Sequence, residues 1–123
     1  MQSLNVVLLQ RDSKIAQSLV SALSDCFPSV HTVQSVTELR NSIGKHRVRV
    51  AILDMEAASL SDVEHLSREF PQACIVCTHR CADEALWAAA LRAGACDVCP
   101  SGDTRGIVRA AAGNAAIRQS AAA

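Results

Sequence analysis

The residues able to do chemistry are few, and they stand at the ends of apolar runs. Asp54 closes Val50-Ala51-Ile52-Leu53, and Thr78 closes Ile75-Val76-Cys77. A carboxylate at the end of a buried strand can accept a group or ligate a cation, and a neighbouring hydroxyl can hydrogen-bond what it carries. Arg11, between Gln10 and Asp12, follows the run Val6-Val7-Leu8-Leu9 and is expected to pair with Asp54 through a bidentate guanidinium. The blander alternative sends Arg11 into solvent and leaves Asp54 a hydrated strand-end carboxylate. Glu56 and Arg80 follow Asp54 and Thr78 at the same offset and make a second opposite pair, which in solvent is worth little.

Six cysteines offer a competing chemistry. Cys74-x-x-Cys77 and Cys96-x-x-Cys99 match a four-Cys zinc ribbon on paper. Residues three apart in a strand point to opposite faces, however, so Cys74 and Cys77 should not converge on one ion. Core packing is the expected role, with no metal bound, and Cys81 is the exposed thiol. The histidines, His31, His46, His65 and His79, share no ligand spacing, and His79 stands at the rim beside Thr78. Neither a Gly-x-Ser-x-Gly elbow nor a glycine-rich phosphate loop is present, so no enzyme is expected.

These residues must be positioned by a single domain, since the chain has 123 residues. Twelve basic and 12 acidic side chains cancel, which argues against a broad basic face for nucleic acid. The small cluster Lys45, His46, Arg47 and Arg49 is too short to change that. Aromatic platforms for stacking are nearly absent, with Phe27, Phe70, Trp87 and no Tyr. No apolar run is long enough to span a bilayer, and Met1-Gln2-Ser3-Leu4-Asn5 lacks a basic leader, so a cytoplasmic location with reduced thiols is expected.

Periodicity predicts five strands alternating with five helices. The strands are Val6–Leu9, Val30–Val33, Val48–Leu53 with Asp54 at its end, Ala73–Thr78 and Asp97–Cys99. Asp12 or Ser13 caps the first helix. Ser35-x-x-Glu38 reads as a capping box opening a helix that Gly44 stops, and Ser61-x-x-Glu64 as a second box opening a helix to Phe70. Asp83 to Ala93 is a helix ended by Gly94, and Asp103 or Thr104 caps the last, through Arg118. Residues 119–123 read as a frayed tail or the start of a linker. Alternation of this kind implies an α/β, doubly wound, five-stranded parallel sheet, with any site beyond the carboxyl ends of the strands.

In this light the sequence resembles a response-regulator receiver domain over nearly its whole length. The resemblance rests on Val50-Ala51-Ile52-Leu53-Asp54, Ile75-Val76-Cys77-Thr78 and Gly94-Ala95-Cys96-Asp97-Val98. It implies a flavodoxin-like, CheY-like (βα)5 fold, with Asp54 as phosphoacceptor candidate and Thr78 as the hydroxyl that senses the phosphoryl group. The chain departs from the family pattern around that pair. Gln10 and Arg11 replace the acidic pair that holds Mg²⁺, with Asp12 entering the pocket only by a one-residue slip. Ser101 and Gly102 replace a Lys-Pro, and Val98 replaces the switch aromatic. Phosphoryl transfer relies on cation and ammonium positioning, so no Mg²⁺ or other cofactor is expected here.

The expected function is thus an atypical receiver in two-component signalling, a protein-interaction module largely independent of Mg²⁺-dependent aspartyl phosphorylation. One alternative is a phosphorylatable receiver that takes its group on Asp54 from a histidine kinase; another is a cysteine-based metal or redox sensor. The expected partner is a protein or output domain, or a second copy through helix four, strand five and helix five; neither nucleic acid nor membrane is expected. Leu86, Trp87, Ala90, Leu91, Ile107, Val108 and Ile117 supply apolar surface there. Leu86 and Trp87 cannot share a direction, so one of them should reach the surface. Trp87 is the interface candidate.

Overall fold

The computed structural model describes residues 5–122, with side chains through residue 113. The chain alternates β1 (Asn5–Leu9), α1 (Ser13–Ser24), β2 (Ser29–Val33), α2 (Val36–His46), β3 (Val50–Asp54), α3 (Leu60–Glu69), β4 (Cys74–His79), α4 (Glu84–Ala93), β5 (Asp97–Pro100) and α5 (Thr104–Ala122). The sheet order is β2-β1-β3-β4-β5, all parallel. The order reverses between β1 and β3, so the crevice for a site opens there.

Strand alternation sorts the apolar residues into two layers. Val7, Leu9, Ala51, Leu53, Ile75 and Cys77 pack against α2, α3 and α4, through Leu39, Ile43, Val63, Leu66 and Ala90. Val6, Leu8, Val50, Ile52, Cys74 and Val76 pack against α1 and α5, through Leu19, Leu23, Ile107 and Ala111. The central strands are apolar on both sides because helices cover both sides. Each fully buried Leu or Ile contributes about 1.5–3 kcal/mol through removal from water. Cys74 and Cys77 fall in opposite layers, as their spacing requires.

Helix ends follow local chemistry, with three departures from the sequence expectations. Ser59, not Ser61, caps α3: its hydroxyl accepts Asp62 N–H at 3.2 Å while Asp62 Oδ2 accepts Ser59 N–H at 2.9 Å. Both serines have an acid three residues on, but the helix already begins at Leu60, which places Ser61 inside its first turn. At α2 the box is half formed. Ser35 accepts Glu38 N–H, whereas Glu38 reaches back to Gln34 N–H instead of the cap itself. Gly44 does not stop this helix but lies within it, and Arg47 makes the left-handed cap at φ 51°. Ile43 is held in the core and carries the helix past the glycine.

Gly94 ends α4 as expected, at φ 117°. A Cβ there would lie 2.1 Å from Ser67 Oγ on α3, so both the backbone conformation and the close approach require glycine. Asp83 caps α4, and Asp103 Oδ1 accepts Gly106 N–H at the start of α5. α5 continues past Arg118 to Ala122; the side chain of Ile117 lies outside the described residues. No helix among the described residues is long and apolar enough to cross a membrane.

Candidate functional site

The site lies at the carboxyl edge of the sheet. Asp54 ends β3 in register with Thr78 on β4, and both side chains are fully buried. By alternation, Asp54 and Thr78 continue the row of Ile52 and Val76, on the α1–α5 face. Gln10, beyond β1, and Ser101, beyond β5, continue the rows of Leu8 and Cys99 on that face. Four strands therefore contribute one polar residue each, in the order Gln10, Asp54, Thr78, Ser101.

Main-chain groups hold the carboxylate. Arg11 N–H donates to Asp54 Oδ2 at 3.1 Å, and Glu56 N–H donates to Oδ1 at 2.9 Å. The expected bidentate pair between Arg11 and Asp54 does not form. The Arg11 guanidinium instead donates through Nη1 to the Glu56 carbonyl at 3.1 Å, bridging the β1–α1 and β3–α3 loops. The physical reason is burial: Asp54 is sealed from solvent and met by the Arg11 main chain, while the exposed Arg11 side chain runs outward to the Glu56 carbonyl.

Asp12 is committed elsewhere, because its Oδ1 accepts Lys14 N–H at 2.9 Å and Ile15 N–H at 3.2 Å as the α1 cap. Glu56 does pair with Arg80, at 2.7 Å, and this hydrogen bond raises the guanidinium above its ordinary value. Arg80 is 75% exposed, so the pair contributes little to stability. His79 turns back onto its own loop, with Nδ1 accepting Cys81 N–H at 2.9 Å. Trp87, on α4, is 49% exposed, while Leu86 packs against the core.

Three buried polar atoms of the row have no hydrogen-bond partner: Gln10 Nε2, Thr78 Oγ1 and Ser101 Oγ. Gln10 Oε1 accepts Asp12 N–H at 3.1 Å, so the orphan is the donor end of its amide. An unpaired buried group costs about 1–3 kcal/mol, which marks this row as a place that water or a ligand would complete.

The cysteines do not assemble a second centre. No group of three or more His, Cys, Asp or Glu that could hold a metal occurs among the described residues. Burial pushes the Cys77 thiol up to about 12 and the Cys99 thiol up to about 11, so both are protonated and unreactive near neutrality. Cys81 is exposed as expected, and so is Cys26. His31 and His46, distant in sequence, stack with ring centroids 5.1 Å apart, a pairing that residue spacing could not reveal. Sequence inspection also missed that the two groups anchoring Asp54 are main-chain N–H groups of residues 11 and 56, which no side-chain motif reports.

No family model matches the sequence, and no curated protein matches it. Solved structures do. A CheY-like receiver domain protein from Methanospirillum hungatei superposes with a TM-score of 0.84 at 14% identity, over 97% of this chain and 98% of that one. A response regulator from Burkholderia pseudomallei, bearing a phosphorylated aspartic acid with calcium and citrate, gives 0.77 at 20% identity, over 98% of this chain and 73% of that one. An orphan response regulator of H. pylori gives 0.79 at 13% identity, over 94% and 96%. At such identities the likeness is one of architecture, and it agrees with the observed strand order: the chain has the CheY-like fold of response-regulator receiver domains.

Proposed function

We propose that this chain is an atypical receiver of two-component signalling, working as a cytoplasmic protein-interaction module whose state is not set by Mg²⁺-dependent phosphorylation of Asp54. The observation that carries the reading is Arg11. Its N–H takes one Asp54 oxygen and its guanidinium takes the Glu56 carbonyl, so a fixed cation bridges the two loops at the mouth of the pocket. A divalent cation needs several oxygen ligands in near-octahedral array. Here Asp54 accepts main-chain donors on both oxygens, Asp12 caps α1, and Glu56 pairs with Arg80. The residues present do not fit Mg²⁺. Across the pocket, Ser101 presents a hydroxyl and no ammonium, so on that side the positive charge that aspartyl chemistry needs is lacking.

Output in this reading passes through protein contact. Trp87 is the largest exposed apolar side chain, and an exposed Trp supplies interface area at little entropic cost. A protein partner or a second copy that covers it is the expected ligand of this face. Gel filtration should show a shift in mass or loss of partner between wild type and Trp87→Ala.

The second reading, a phosphoacceptor served by a histidine kinase, is favoured by one observation. Thr78 Oγ1 lies beside Asp54, buried and without a partner, where a phosphoryl oxygen would complete it. Acetyl phosphate with Mg²⁺, followed by intact mass, separates the two. We expect unmodified protein; a stoichiometric acyl phosphate on Asp54 overturns the first reading in favour of the second.

A further inference from the structure

On the far side of Gln10 from the rest of the polar row, α1 and the carboxyl ends of β1 and β2 border a cleft of about 490 Å³. Leu8, Ala16 and Val20 contribute an apolar floor, while Gln10, Gln34 and Arg11 are polar members of its lining. No Asp or Glu lines it. The lining thus includes one basic residue, whose guanidinium is turned to the Glu56 carbonyl, a surplus of amide groups, and in Gln10 Nε2 a donor with no acceptor. Such a lining complements a molecule that brings an acceptor oxygen together with an apolar body.

We propose that this cleft is a binding site for a small organic carboxylate or amide with a short aliphatic body, and that its occupancy is the input of the module. The head oxygen takes the Gln10 Nε2 donor and the field of Arg11, and the aliphatic part covers Leu8, Ala16 and Val20. Communication with the pocket needs no intermediary, because Arg11 touches both. Its N–H holds Asp54 Oδ2, its guanidinium holds the Glu56 carbonyl, and the residue also borders the cleft. A ligand that draws Arg11 toward the cleft binds the two arrangements of this linkage with different affinity, which is the condition for a population shift. The inference rests on the reading above in one respect only: the input is taken to be something other than a phosphoryl group.

Titration of the ¹⁵N-labelled chain with hexanoate, and separately with its neutral counterpart hexanamide, tests this. Saturable amide shifts are expected at Gln10, Arg11, Val33 and Gln34, relayed to Asp54 and Glu56, with a dissociation constant on the order of 1 mM or below. Gln10→Leu should weaken both probes about tenfold by removing the donor. Hexanoate should bind about threefold more tightly than hexanamide, a preference lost in Arg11→Gln. Thr32→Trp, on the exposed wall of the cleft, should block both while leaving the remaining spectrum folded. Shifts that do not saturate, or that survive Gln10→Leu and Thr32→Trp unchanged, overturn the proposal. An acyl phosphate found on Asp54 would sink the module reading without altering this titration, and a silent titration would sink the cleft without altering the acetyl phosphate result.

Discussion

The centre of the carboxyl edge and its two flanks carry different chemistry. At the centre, β3 and β4 place Asp54 and Thr78 side by side, in register and fully buried. On the flanks, the ends of β1 and β5 present Gln10, Arg11 and Ser101, which remove negative charge on one side and offer no positive charge on the other. The contrast shows that geometry and charge at this edge are separable. Position is supplied by strand pairing and main-chain N–H groups, and the charge needed for phosphoryl chemistry is supplied by side chains. The shape of this edge therefore does not by itself fix its electrostatics.

Rebuilding the flanks is the strongest way to break this contrast. Gln10→Asp with Arg11→Asp and Ser101→Lys should convert a chain unmodified by acetyl phosphate and Mg²⁺ into one modified at Asp54, read by intact mass, with a rate gain of at least about tenfold. If the triple variant stays unmodified although folded, charge on the flanks is not what separates this site from a working one.

The centre is sharpened by two isosteric substitutions with opposite expected signs. Asp54→Asn replaces one accepting oxygen with an amide NH₂, so one main-chain donor loses its buried acceptor; urea unfolding should show a loss of about 1–3 kcal/mol. Thr78→Val removes a hydroxyl that has no partner, and stability should be unchanged or rise by up to about 1 kcal/mol. A clear loss in Thr78→Val would mean that ordered water or a ligand satisfies the hydroxyl in solution.

The smallest effect concerns pH. Cys77 and Cys99 titrate near 12 and 11 in the folded chain against 9.0 for the ordinary thiol. The unfolded chain then releases these protons first. Stability contributed by the neutral thiols should be whole below pH 9 and decline as the pH climbs toward those folded-state values. Chemical unfolding at a series of alkaline pH values, compared with Cys77→Ala and Cys99→Ala, would detect it; a wild-type slope no steeper than that of the variants would show that burial does not hold these thiols neutral.

Much of the architecture was legible because it depends on apolar periodicity, which survives in Val6–Leu9, Val50–Leu53 and Ile75–Cys77. Helix ends were read less well. Ser59 and Ser61 both offer a cap spacing with an acid three residues on, so local spacing alone does not decide between them. Gly44 reads locally as a stop, yet Ile43 in the core sustains the helix to His46. At the site, the sequence reading named residues that the fold brings to one edge, Gln10, Asp54, Thr78 and Ser101, but not the partner of Arg11. Opposite charges suggest a pair, while the guanidinium reaches the Glu56 carbonyl and only the Arg11 main chain reaches the carboxylate. The His31–His46 stack and the cleft beside Gln10 arise only from tertiary proximity.

The manner in which Asp54 is anchored bears on how this chain tolerates mutation. Both of its clamps are peptide nitrogens, one before α1 and one before α3. Every amino acid except proline carries that nitrogen's hydrogen, so residues 11 and 56 are open to almost any replacement without unseating the aspartate. Genetic drift at those two codons can rewrite what the pocket recognises and still leave its framework standing.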